Sequence, residues 1–461
     1  MLKKYFGDKA FYRWVLAVAI PIIIQNGITT FVSLLDNIMV GQIGNDPMSG
    51  VSTVNNLLFV FNLTIFGATS GAGIFTAQFH GTKDNQGVQY TFRFKILICL
   101  LLGCLGIGIF ALADQPLINL YLQGEGAAET AASVLAYGRE YLSIMLWGLI
   151  PFALCGAYSS TLRETGQTVV PMIAGIIAVF VNLVLNFLLI FGHLGLPAMG
   201  IRGAALATVI SRYVELAIVA CWTHLHPDKN PFIRKAFASF YIPGKLFGSI
   251  CVKGMPLLIN EFLWSCGIAF MSQCYSTCGL AVVPALNIAA TLQQLGNVVF
   301  QSMSNSVGIL MGQILGAGRP ETEVRDTNRK LITLSVLCGV FFGGIIALFA
   351  GGFPNLYNTT DEVRLLAAQL ILVNAAAMPF CAYTSSTYFT LRSGGQTMVT
   401  FLFDCCFVWC ICVPLAFCLS RFTDIPILPL FILCQCTELL KCILGGFMLK
   451  KGAWIQNLTH I

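Results

Sequence analysis

Three carboxylates stand where hydrocarbon is expected. Asp36 interrupts FVSLLDNIMVGQIG (residues 31–44), Glu261 lies in LINEFLWS, and Asp404 lies in LFDCCFVW. An ionised side chain in the middle of an apolar span costs about 2.5 to 3.5 kcal/mol on insertion scales, so a chain with no use for the charge would carry Leu. The chemistry open to such a group is narrow: it takes up a proton, or pairs with a cation, and lets it go again. Asp36 has no Lys or Arg within a helical turn, and Ser33, Asn37 and Met39 offer at most hydrogen bonds. Glu261 and Asp404 also lack cations nearby in sequence; their structural alternative is a bond to Trp264, Asn260 or a neighbouring helix. Glu215 with Arg212, and Glu438 with Lys441, are three residues apart and are expected to neutralise each other along one helix face.

These groups matter only if the segments around them cross a membrane, and composition says that they do. The 461 residues are 57% hydrophobic and 10% charged, with a mean hydropathy of +0.80, whereas soluble domains carry roughly 25% charged residues. A span needs about 20 apolar residues, and stretches of that kind begin near residues 15, 50, 94, 133, 168, 201, 250, 282, 331, 363, 397 and 426. The chain therefore reads as an all-α polytopic membrane protein of about twelve helices. MLKKYFGDKAFYRW runs into the first of them without a small-residue cleavage pattern, so that helix is expected to remain in the mature protein. Most of the 18 cysteines fall in apolar segments and none forms a CxxC pair, so they read as small buried hydrophobes rather than metal ligands or disulfides.

Twenty of the 26 Lys and Arg residues fall at the two termini and the even-numbered connections, among them Lys83, Arg93 and Lys95. Four, Arg139, Arg202, Arg364 and Arg421, fall on the other side. The positive-inside rule then places both termini in the cytoplasm of a multi-pass plasma-membrane protein. The net charge of +6 is scattered over short loops and gives no footprint for nucleic acid.

The chain also repeats itself. LRETGQT (162–168) returns as LRSGGQT (391–397), AQFHG (77–81) returns loosely as GQILG (312–316), and Pro21 has a counterpart in Pro256; the offsets are 229, 235 and 235. Two six-helix lobes are expected, residues 1–225 and 246–461, joined by a connection at 226–245. Six spans per copy is an even number, so the copies run the same way and are related by an axis along the membrane normal, as in many secondary transporters. Locally, each LR-x-x-GQT also reads as a helix end in which Gly166 or Gly395 breaks the helix.

Taken together, Pro21, the D-x-x-MVGQ-x-G run from Asp36 to Gly44, the G-x-x-x-G-A-G-x-x-x-AQ-x-x-G run from Gly67 to Gly81 and the paired LR-x-x-GQT turns resemble the MATE family of multidrug and toxic compound extrusion transporters, over essentially the whole chain. The resemblance implies two six-helix lobes and export of organic, often cationic small molecules in exchange for H⁺ or Na⁺, with no other cofactor. The spacing from Pro21 to Asp36 is similar to that of the DinF-like branch, where a first-helix carboxylate holds the coupling ion and an N-x-x-x-D pair on the fifth helix assists it. Here that pair is Asn182 and Asn186, so one carboxylate of the pattern is an amide. Thr208 stands where the sixth helix contributes a hydroxyl. These four residues would be the ligands of any Na⁺. The NorM-like branch places acids in the second lobe. Glu261 matches its seventh-helix acid, Cys381 stands near the expected tenth-helix acid, and Asp404 is left as a further candidate that can face Glu261.

Exchange follows if Asp36 passes between a protonated form and one paired with Na⁺ or a cationic substrate. Pro21, which cannot donate a backbone hydrogen bond, is the expected hinge of the first helix. An enzyme is excluded by the absence of HExxH or GxSxG and by histidines confined to helix ends and loops. A channel would want rings of like elements from identical subunits, whereas two diverged halves in one chain suit alternating access. A lipid-linked oligosaccharide flippase of similar two-lobe plan is the alternative; a cationic cleft with fewer acids would mark it. The chain is expected to act as a monomer among membrane lipids.

Overall fold

The computed structural model describes residues 5–122, 128–195, 197–279, 281–357, 359–423 and 425–459, which are helical with no strand among them. Among the described residues twelve helices are long and apolar enough to cross a membrane, and they begin close to the expected positions. They are α1 (Lys9–Gly41), α2 (Asn45–Gly81), α3 (Asn85–Leu112), α4 (Ala132–Glu164), α5 (Val169–Phe191), α6 (Ile201–Leu225), α7 (Gly244–Ser276), α8 (Val282–Gly316), α9 (Glu321–Phe349), α10 (Asp361–Ser393), α11 (Thr397–Phe422) and α12 (Ile427–Lys451). Pro21 and Pro256 lie inside continuous helices, α1 and α7. Helix α11 carries two π-helical stretches, Leu402–Cys406 and Val408–Cys412. Such i→i+5 turns are rare and cluster at functional positions.

The repeated turns are built alike. After α4, Gly166 takes φ +83° and Gln167 N donates to Leu162 O at 2.7 Å; after α10, Gly395 takes φ +75° and Gln396 N donates to Leu391 O at 3.2 Å. A residue with a Cβ resists that left-handed conformation, so glycine at these two positions ends the helix.

The chain divides into two compact units. Residues Ile24–Thr76 and Asp84–Ile250 form one; Met1–Ile23, Ala77–Lys83 and Cys251–Ile461 form the other. The change of unit along α1 falls between Ile23 and Ile24, two residues beyond Pro21.

In the first unit, Lys95 is fully buried and forms an ion pair with Glu164, the acid of LRETGQT, and Lys95 Nζ also reaches Thr161 Oγ1 at 3.2 Å. A Cβ at Gly73, in the Gly-rich run of α2, would strike the Glu164 carboxylate. Arg93 is buried and donates to three carbonyls of the 226–245 connection: Ala236 (2.7 Å), Tyr241 (3.1 Å) and Lys235 (3.1 Å). Arg93 and Lys95 are thus structural groups inside α3, which corrects their assignment to a basic loop; their apolar stems and paired heads make burial affordable.

In the second unit, one buried cluster joins α7, α8, α9, α10 and α12, and another sets Val15, Val18, Ala19 and Ile22 of α1 against Met303, Val307, Leu310 and Met311 of α8. Gln78 fixes the end of α2: its Nε2 donates to Ser393 O (2.9 Å) and Gln456 O (3.2 Å), and its Oε1 accepts from Leu458 N (2.6 Å). Beside it the two repeat motifs meet backbone to backbone. A Cβ at Gly81 would strike Gln313 O, and one at Gly316 would strike Gln78 O.

Candidate functional site

Four of the expected site residues come together in the first unit. Asn182 and Asn186 stand one turn apart on α5, both buried, and Asp36 of α1 and Thr208 of α6 close around them. Asn186 Nδ2 donates to Asp36 Oδ1 at 2.7 Å and to Asn182 Oδ1 at 3.1 Å. Asn182 Nδ2 donates to Thr208 Oγ1 at 3.3 Å, and the Thr208 hydroxyl donates onward to Ala204 O at 3.0 Å. Ser33 spends its hydroxyl on Thr29 O at 3.0 Å; the Asn37 side chain lies outside the described residues.

The Asn182 side-chain amide also lies 3.0 and 3.1 Å from the two carboxylate oxygens of Asp36, close enough to donate to them when its Nδ2 faces the acid. The carboxylate thus stands among neutral groups, the amides of Asn182 and Asn186 with the Thr208 hydroxyl behind them, and its charge is left for a proton or a monovalent cation to match. Asn186 Oδ1, buried with no hydrogen-bond partner, offers such a cation one oxygen ligand more.

The second unit holds the other two. Asp404, in the π-helical part of α11, accepts from Lys441 Nζ of α12 at 2.6 Å and from Asn260 Nδ2 of α7 at 3.2 Å. Asn260 also reaches the Tyr388 hydroxyl at 3.4 Å. Both partners of the ion pair are largely buried, Lys441 at 8% and Asp404 at 19% side-chain exposure, which marks the pair as desolvated. These bonds, to Asn260 and to a neighbouring helix, are the structural alternative named for Asp404. One expectation is corrected here: Lys441 pairs with Asp404, and Glu438 instead accepts from Thr384 Oγ1 at 3.0 Å. Glu261 follows Asn260 on α7, the residue whose amide bonds Asp404. Cys381, half-buried on α10, supplies no acid.

In the other i,i+3 pair, Arg212 sets its guanidinium 4.9 Å from the Phe152 ring centre and reaches Gly148 O at 3.4 Å. Sequence reasoning missed the Lys95–Glu164 pair, the Lys441 partner and the Arg163 Nη2 bond to Gln25 Oε1 at 2.9 Å. The signal was present for two of them, since Lys95 and Lys441 are basic residues flanked by long apolar runs. All 18 cysteines are free thiols.

The MatE family profile matches residues 21–188 and 256–418, one stretch in each repeat. Among curated proteins the chain is similar to a probable multidrug resistance protein NorM of Thermotoga maritima, 25% identical over 95% of this chain and 92% of that one. It is also similar to a probable multidrug resistance protein YoeA of Bacillus subtilis, 24% identical over 90% of this chain and 88% of that one. Among solved structures it shares the fold of the Vibrio cholerae MATE transporter VcmN, with a TM-score of 0.82 at 19% identity over 97% of this chain and 99% of that one. Two matched stretches, twelve apolar helices and a whole-length likeness in fold agree: the chain belongs to the MatE family and is a multi-pass membrane transporter rather than an enzyme.

Proposed function

We propose that this protein exports organic, often cationic compounds in exchange for protons, with Asp36 as the coupling group. The observation that carries the reading is the neutral surroundings of the Asp36 carboxylate, which takes a hydrogen bond from Asn186 Nδ2 at 2.7 Å and has the Asn182 amide and the Thr208 hydroxyl behind it. A lone carboxylate among amides is satisfied by one proton, and no second acid of the site competes for it. Pro21 leaves α1 without one backbone donor, so neutral and ionised Asp36 can favour two shapes of that helix, and exchange is a shift between the two populations.

In this reading residues 1–225 and 246–461 are the two lobes of an alternating-access monomer, 226–245 is their connection, and both termini are cytoplasmic. Any Na⁺ dependence arises in the second lobe at Glu261, since Asp404 is already matched by Lys441. The names of the relatives, multidrug resistance proteins, support efflux as the direction. Asp36, which takes its hydrogen bond from a neutral amide rather than a cation, favours cationic cargo over the anionic cargo of an oligosaccharide flippase. The test is ethidium efflux from proteoliposomes under imposed gradients of either sign. A pH gradient should drive it in Na⁺-free buffer. Transport that collapses without Na⁺, with Asp36→Asn rather than Glu261→Gln removing that dependence, overturns the reading.

A further inference from the structure

The second unit contains a cavity of about 430 Å³ that the transport site does not use. One wall is a single face of α9. Its lining residues there, from Arg325 through Arg329, Ile332 and Val336 to Leu337, recur every three or four positions, the spacing of one helical stripe. Arg325 to Leu337 is twelve residues, or about 18 Å along the axis, close to the roughly 15 Å half-thickness of the hydrocarbon core. The stripe is graded. It begins with two guanidinium groups and ends on aliphatic side chains, with Leu449 and Tyr383 opposite.

The mouth is built and positively charged. Arg325 is held in the wall by Glu321 (2.7 Å) and by the Leu449 and Lys450 carbonyls (3.3 and 3.1 Å). Arg329 lies with its guanidinium 5.7 Å from the Tyr5 ring centre and bonds Asp326 at 3.2 Å. Lys450 is exposed at the rim, and among the described residues no acidic side chain lines the cavity. Glu321 and Asp326 offset two of the arginine charges from outside it, while Lys330, Lys450 and Lys451 add to the positive field.

We infer that this groove is a binding site for one anionic phospholipid. Its phosphate sits among Arg329, Lys450 and the Tyr5 hydroxyl, and one acyl chain lies along Ile332, Val336, Leu337 and Leu449. A basic mouth above an apolar channel of hydrocarbon length matches that amphiphile at both ends. Free phosphate would use the mouth and have no use for the channel; a zwitterionic lipid would fill the channel and gain little from the mouth.

Native mass spectrometry of the full-length protein in detergent tests this, with phosphatidylglycerol, phosphatidylcholine of the same chain length, dihexanoyl phosphatidylglycerol and inorganic phosphate as separate probes. Long-chain phosphatidylglycerol should be retained over each of the others. The double variant Arg329→Gln/Lys450→Gln should lower the phosphatidylglycerol to phosphatidylcholine ratio by roughly 25-fold, at about fivefold per charge, with an unchanged melting temperature. Equal retention of phosphatidylcholine, or a double variant that keeps the parental ratio, overturns the site. Competition by inorganic phosphate or the dihexanoyl lipid at the same concentration as the long-chain lipid also overturns it, because the channel would then contribute nothing.

Discussion

Asp36 and Asp404 are both aspartates inside apolar helices, and the molecule treats them in opposite ways. Asp404 is answered by Lys441, a cation covalently part of the same chain, 2.6 Å away. Among the described residues Asp36 is answered by the Asn186 amide at 2.7 Å, with Asn182 and Thr208 behind it, so its charge must be matched by something that can leave. A buried carboxylate with a tethered cation is a fixture, since breaking such a pair strands a charge; one without is a port. The same residue type in the same solvent thus does different work according to whether its counter-ion is attached.

The comparison breaks most sharply at Asp36. Asp36→Asn keeps the size and removes the ionisable group, and coupled efflux should fall to the level of empty vesicles while expression and melting temperature stay parental. Parental transport rates in the purified variant would remove the port.

At the fixture, Lys441→Met should lower stability by about 3 to 5 kcal/mol, the cost of stranding one member of a buried pair, and Lys441→Met/Asp404→Asn should recover most of it. Thermal melts in detergent read both, and a single variant as stable as the double would show that Asp404 was never held by the lysine. A smaller effect is expected from Asn186→Asp, which puts a second carboxylate beside Asp36. Two acids ask for more than one proton, so efflux should become more dependent on Na⁺, checked by the ratio of rates in Na⁺ and Na⁺-free buffer; an unchanged ratio would mean that charge count at this site does not select the ion. The smallest change is Pro21→Ala. It restores a backbone donor and stiffens α1, slowing transport a few-fold with substrate binding unchanged, as measured by efflux rate against equilibrium ethidium binding.

The spans were legible because apolar length is a local property of the chain, and the lone acids were legible for the same reason, as charges in the wrong solvent. Their partners were not. Asn186 lies 150 residues from Asp36, and Lys441 lies 37 from Asp404, so nothing within a turn of either acid announced the difference between them. The helical i,i+3 rule assigned Lys441 to Glu438, the nearer acid on the same face, but a cross-helix carboxylate offered a short, desolvated contact that an exposed helical pair does not. Arg93 and Lys95 were counted as loop charges because a basic residue near a span end usually is one; only the fold shows that Glu164 and the connection carbonyls wait for them. The repeated LR-x-x-GQT turns were readable in both sequence and geometry, since a positive φ after a helix is dictated by the glycine itself.

Gly81 and Gly316 each leave room for a main-chain carbonyl of the other repeat motif. A clash with a side chain can be relieved later, by a smaller residue on the opposing helix. A clash with a carbonyl oxygen cannot, because every amino acid brings the same one. Once the two copies were joined with their backbones in contact here, neither glycine had a compensating substitution available on the other side. At this crossing each repeat is therefore held to glycine by an atom of the other that no mutation can remove.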